Sequence, residues 1–238
     1  MAGERATMLD ETHRDEDFSG RRFAYWTVGM STFERCQFSN VRATIAELGV
    51  GPTPTVFRDC SFDGSRFNRT TLGLLRFERC TFRNVVMRKW ISPDSDFVDC
   101  VFSGDLAELT LAGAGRRAYS SPLTPNEVVG NDLRDAVMLG GGFRAGVDLS
   151  RQQLPTDPRH VLIPDPGATL PAAFAVVRSW DDRDVRTSAE STLAVLDEDF
   201  RRGQPQLLLC PAGGTPAKEA ANARLLELVR GLVKDGSP

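Results

Sequence analysis

Bulky apolar residues recur at every fifth position over much of the chain. Phe18, Phe23, Phe33 and Phe38 fall on one five-residue grid, with Val28 between them. A second run places Phe57, Phe62, Phe67, Leu72, Phe77, Phe82, Met87, Phe97 and Phe102 on the same step, with Ser92 as a lapse. A third, shorter run holds Leu133, Met138 and Phe143, then Leu149 and Leu154 after a slip of one residue. A period of five matches neither the 3.6 of a helix nor the 2 of a strand. It points instead to a repeat architecture. The residue two before each bulky one is mostly small or modest, as at Cys36, Thr55, Cys60, Ser65, Thr70, Cys80, Val85, Ser95 and Cys100, with Glu16, Arg21 and Leu75 as exceptions. One large and one small inward side chain per pentad builds one side of a square coil, and four sides make a turn of about twenty residues. That longer period is visible directly. The hexads beginning at Phe57, Phe77 and Phe97 share Phe, Cys and Phe at fixed places twenty residues apart, and the hexad at Phe33 lies 24 residues upstream of Phe57. Four residues are therefore inserted between those two coils.

These pentads resemble the pentapeptide-repeat family, whose loose consensus is a small residue, Asp or Asn, Leu or Phe, then two variable positions. Asn131-Asp132-Leu133 and Val147-Asp148-Leu149 match it closely, whereas Gln37, Ser61, Thr81 and Val101 stand where the family has Asp or Asn. The resemblance covers residues 15 to 107 and 131 to 154, about half of the chain. It implies a mainly β fold, a right-handed quadrilateral β-helix with Phe and Leu stacked inside. Some members of the family imitate duplex DNA, bind DNA gyrase and protect it from quinolones or other poisons.

Stacked coils lie one strand spacing apart, ~4.8 Å, so residues twenty apart form columns. Phe57, Phe77 and Phe97 are expected in one internal column, and Phe62, Phe82 and Phe102 in another. Cys36, Cys60, Cys80 and Cys100 form a third. Sulfurs spread one per coil cannot converge at ~2.3 Å on one metal ion, so these cysteines are expected as buried, reduced core residues. Arg35, Asp59, Arg79 and Asp99, just before the cysteines, should point outward beside Glu34, Arg58 and Glu78 in self-compensating ladders.

The solenoid is expected over residues 15 to 154, after a flexible leader at 1 to 14. Loop insertions are expected near 40 to 56, where Gly49, Gly51, Pro52 and Pro54 cluster, and near 106 to 130. Pro155, Pro158, Pro164, Pro166 and Pro171 mark a boundary before a small α-rich segment, 155 to 238. There, Ala172 to Trp180, Val185 to Phe200 and Glu219 to Val233 read as helices, and Gln206 to Cys210 as a strand or a buried helix. This segment can cap the open end of the solenoid or pair with itself in a homodimer.

Charge narrows the function. The 238 residues carry 29 basic and 32 acidic side chains, a formal charge of −3, which argues against bulk attraction to nucleic acid or acidic lipid. No apolar run approaches the ~20 residues that span a bilayer, and the first seventeen residues hold no signal-peptide core. Five cysteines, an odd count, agree with reduced thiols in a cytoplasm. No cofactor or metal is expected. Residues 15 to 107 hold twelve acidic and twelve basic residues, no net charge, where a DNA mimic should be anionic along its length. The best reading is a non-catalytic scaffold that binds another protein, with Arg116 and Arg117 in the second loop as candidate contacts. A gyrase-protecting DNA mimic is the alternative. A weaker alternative is an enzyme using the C-terminal segment, with His160 near Asp157 and Asp165 as its acid–base group.

Overall fold

The computed structural model describes residues 3–88, 90–114 and 125–235. Its body is a parallel β-solenoid in which residues one coil apart pair strand to strand. A sheet of long strands runs in chain order through Glu4–Leu9, Arg22–Gly29, Arg42–Leu48, Arg66–Leu72, Val86–Arg88, Val101–Ala107 and Asp132–Leu139. A sheet of short strands takes Thr12–Arg14, Thr32–Glu34, Thr55–Arg58, Leu75–Glu78, Ser95–Val98 and Val128–Val129. A further side is tied by single bridges that join Asp17, Gln37, Ser61 and Thr81 in succession.

The expected columns are present. Phe33, Phe57, Phe77 and Phe97 pair in register, with ring centroids 4.8, 5.2 and 5.2 Å apart. Phe18, Phe38, Phe62, Phe82 and Phe102 stack beside them at 5.0 to 5.1 Å and less than 10° between planes. The two columns meet edge to face, as Phe57 does with Phe62 at 73°, the geometry that aromatic quadrupoles favour. Each of these buried rings is worth ~1.5–3 kcal/mol by area alone.

One departure from the pentad rule explains itself. Trp26 stands where a small residue is expected, and Ala43 where a bulky one is. Trp26 pairs with Ala46, stacks on Phe23 and reaches Phe67 at 6.4 Å, filling the space that the two alanines leave.

The turns between sides need left-handed backbone. Asp15, Arg35, Asp59, Arg79 and Asp99 all have φ between 51° and 56°, and Asn40 and Asn84 hold a second corner at 58° and 53°. Asn and Asp tolerate this region best among residues with a Cβ. Gly130 continues the first corner at φ 70°, where a Cβ would meet the Asp99 carboxylate at 1.9 Å.

Strands of the solenoid begin within the expected leader. Glu4–Leu9 pairs with Arg22–Gly29 and Thr12–Arg14 with Thr32–Glu34, which makes residues 4 to 14 part of the solenoid. Met8 and His13 lie on the same five-residue grid, and the His13 ring stacks 4.8 Å from Phe33 at the end of its column. Likewise, 40 to 56 is not mostly loop. Arg42–Leu48 is a regular strand, and the four extra residues fall in the turn between Leu48 and Thr55. Within 106 to 130, Thr110–Ala112 pairs with Gly142–Arg144.

The C-terminal segment forms a second core. Helices α1 (Pro166–Val177), α2 (Arg183–Arg201) and α3 (Pro216–Asp235) pack around an antiparallel pair, Val161–Ile163 with Leu207–Leu209. The 206 to 210 run is thus a strand. Pro166 and Pro171 lie within α1 rather than before it: Asp165 caps the helix by accepting from the Ala168 amide, and Pro166 sits at the first position, where a missing N–H costs nothing. Leu208 and Cys210 pack into the solenoid core, and the Gly140 amide donates to the Pro211 carbonyl, so this segment covers the solenoid's last coils.

Candidate interaction surfaces

Arg116 and Arg117 lie outside the described residues. The other candidate chemistry is placed by the coil geometry, which sets outward side chains in columns just as it sets the rings.

On the short-strand sheet the columns alternate in sign. Arg14 bonds Glu34 at 3.0 Å, and Arg58 sits between Glu34 and Glu78 at 3.2 Å from each. Arg76 continues to Asp96 at 3.3 Å and Glu127 at 2.8 Å. At the neighbouring corner, Arg35 clamps Asp15 through two bonds of 2.6 and 2.7 Å, and Arg79 clamps Asp59 at 2.7 and 3.0 Å. The bonds from Arg35 and Arg79 hold the Asp15 and Asp59 carboxyls below the usual range. Burial pushes Glu78 up, but bonds from Arg79 and Arg58 outweigh it and leave the carboxyl below its ordinary value. This is the expected self-compensating ladder.

The long-strand sheet is different. Arg22, Arg42 and Arg66 pair in register, one above the next, and all three are exposed. Nearby on the same strands, Arg5, Tyr25, Ile45 and Arg69 form another column, with the Arg5 guanidinium 4.4 Å over the Tyr25 ring. Among the described side chains from 4 to 107, the arginines that form no ion pair are Arg5, Arg22, Arg42, Arg66 and Arg69, all on this sheet. Summing charge over the whole face hid this segregation. Sorting it by coil column would have found it, because Arg22 and Arg42 are twenty apart and Arg66 follows across the same insertion as Phe57.

Other reactive groups are committed to the fold. The thiols of Cys60, Cys80 and Cys100 donate to the carbonyls of Phe33, Phe57 and Phe77, one coil back, at 3.3 to 3.5 Å. For Cys60, hydrogen bonding with Cys80 and burial push the thiol up; for Cys80, burial leads. Among the described residues no group of three His, Cys, Asp or Glu is placed to hold a metal ion. His160 is buried between two backbone groups. Its Nε2 accepts from the Met138 amide at 3.1 Å, which leaves Nδ1 to donate to the Asp157 carbonyl at 3.1 Å. Asp157 is held down to about 2 by Arg159, and Asp165 caps α1. His160, Asp157 and Asp165 therefore do not form the acid–base group that their proximity in sequence suggested.

A cavity of about 410 Å3 lies where the solenoid meets its cap, lined by Phe143, Arg144, Ser188, Thr192, Asp199 and Lys218 among others. Arg144 bonds Asp199 there at 3.2 Å, and burial pushes the Asp199 carboxyl up despite that partner. The Thr192 hydroxyl donates back to the Ser188 carbonyl within α2.

Fold and surface together define a capped parallel β-solenoid with one neutralised face and one arginine-bearing face. Neither a family model nor a curated protein matches the chain. Among solved structures it is similar to QnrB1, a plasmid-mediated fluoroquinolone resistance protein, in two trypsin-treated variants. The matches have 17% and 15% identity, cover 62% and 63% of this chain and 79% and 80% of those chains, and have a TM-score of 0.21 in each case. The parallel strand register and the ring columns define the fold. No helix among the described residues is long and apolar enough to cross a membrane.

Proposed function

We propose that the protein is a non-catalytic scaffold of the pentapeptide-repeat kind, which binds another protein through its outer surface. The filled interior carries this proposal. From Phe18 to Phe102 the coils are packed ring on ring, so their interior is filled with side chains rather than open to a substrate. What it offers is a stiff outer surface, ruled at ~4.8 Å per coil, on which charge is sorted by face. Segment 112 to 125, with Arg116 and Arg117, is a second candidate contact.

The test is chemical cross-linking of the full chain in cells, followed by reconstitution of the captured protein from purified parts. A stoichiometric complex supports the scaffold. Substrate turnover that survives purification and vanishes when the cap is altered would replace it with an enzyme. Gyrase is tested directly by supercoiling assays with and without a quinolone, and protection would name the partner. The carboxylates of the short-strand face argue against duplex mimicry, because Glu34, Glu78 and Asp96 are already bonded to arginines.

A further inference from the structure

We propose that the arginine column Arg22–Arg42–Arg66, with Arg5 and Arg69 beside it, is a docking surface for an acidic α-helix of the partner protein, laid along the solenoid axis. The proposal deepens the scaffold reading and rests on it.

Parallel register stacks like charges one strand spacing apart, an arrangement that disfavours the sheet. The short-strand sheet shows that this fold does not require it, since there the same spacing alternates arginine with carboxylate. The long-strand sheet instead leaves Arg22, Arg42 and Arg66 exposed and without an ion pair. Complementary charge from outside the chain would relieve that repulsion.

Spacing selects the occupant. Three rungs of the column span ~9.6 Å at the coil repeat. On an α-helix, residues i, i+4 and i+7 share a face, and i to i+7 rises ~10.5 Å. Three carboxylates at those positions would meet three guanidiniums. On an extended strand, side chains on one face recur every ~6.7 Å, so the third would lie at ~13.4 Å, most of a coil out of step. Tyr25, 43% exposed and held by Arg5, and the half-buried Ile45 add an apolar strip for the side of such a helix.

The column is also short. Beyond Arg66 it continues with Val86, and Asp105 precedes Leu106, the partner of Met87. A long polyanion would run past three rungs onto acidic surface of a chain whose formal charge is −3. A single helix would not.

The experiment measures fluorescence anisotropy of the full chain with three labelled probes at physiological salt. One is an Ala-rich helical peptide of about twenty residues with Glu at i, i+4 and i+7. The second has the same composition with prolines that prevent a helix. The third is a thymine oligonucleotide of equal charge. The helical peptide is expected to bind at least tenfold more tightly than either other probe. Arg42→Glu should weaken it at least tenfold and Arg42→Gln by less, while Arg14→Glu on the paired face leaves it unchanged. Thermal unfolding of each variant verifies folding, and Arg42→Glu should leave the midpoint unchanged or raise it. Equal binding of the proline peptide, tighter binding of the oligonucleotide, no binding at all, or loss with Arg14→Glu but not with Arg42→Glu would each overturn the proposal. A cellular partner that stays bound to the Arg42→Glu chain would keep the scaffold and discard the column.

Discussion

A core residue of the solenoid meets copies of itself, whereas a core residue of the cap meets strangers. Phe77 lies between Phe57 and Phe97, each 5.2 Å away and nearly parallel. Leu225 lies in a cluster drawn from three helices and two strands, with Val161, Leu170, Leu193 and Leu209 among its members. The first arrangement is a sum of neighbour contacts along one axis, as in other repeat proteins. The second is a small three-dimensional core whose members are far apart in sequence. The difference teaches where each region is vulnerable: the solenoid at any single rung, the cap at its centre.

The largest expected effect removes a rung. Phe77→Ala should cost ~3–5 kcal/mol, because the rings above and below each lose a face and the coils relax only partly. Urea unfolding followed by the fluorescence of Trp26 and Trp90, which sit among these rings, measures it. A loss under about 1 kcal/mol would show that the columns are not what holds the coils. Leu225→Ala should cost ~2–5 kcal/mol in the cap. Hydrogen exchange in Thr32–Glu34 and Leu75–Glu78 should then stay at its wild-type level. Equal loss of protection in both regions would make the chain one cooperative unit and remove the contrast.

The contrast also governs what the sequence discloses. A parallel solenoid turns spatial neighbours into a fixed separation along the chain, so the Phe57, Phe77 and Phe97 column is legible from numbering alone. It becomes illegible where a column changes residue class. His13 extends the Phe33 column and Met8 extends that of Val28, but a polar ring in a charged stretch does not read as a rung. Trp26 and Ala43 trade large for small, which only the packing between coils reveals. In the cap, the i, i+3, i+4 pattern of Leu225, Leu228 and Val229 discloses α3, while Pro166 and Pro171 concealed the start of α1 behind an apparent boundary. The arginine column needed the same column-wise sorting as the rings. The 24-residue step from Arg42 to Arg66 hides it unless the insertion is carried through.

Charge sharpens the comparison within the solenoid at smaller cost. Arg58→Ala removes the link between Glu34 and Glu78 and should destabilise by ~1 kcal/mol or less, since the pairs are partly exposed. Arg42→Ala, on the unpaired column, should change stability by no more than ~0.5 kcal/mol, because it relieves like-charge stacking. If Arg42→Ala proves the costlier, a carboxylate reaches that column in solution and the two faces are not distinct.

The smallest expected effects separate the regions by sign. Asp15 and Asp59 are held below the usual carboxylate range by their arginines, so their contribution is fully present above the unfolded value of ~3.9 and is lost as pH falls through the lower folded values. Acid should therefore weaken the solenoid. Asp199, at the seam, has the opposite shift, because burial raises it. Its ionised form costs the folded state at neutral pH. That cost disappears as pH falls through the raised folded value toward ~3.9. Acid in that window should therefore strengthen the junction between solenoid and cap. Asp199→Asn, which fixes the uncharged state, should flatten that pH response and leave the solenoid's acid sensitivity untouched, as read by hydrogen exchange, corrected for the intrinsic rate, from pH 7 down to about pH 3. If Asp199→Asn instead loosens the junction at pH 7, the bond to Arg144 outweighs the burial of the carboxylate. The seam would then lose stability in acid just as the ladders do.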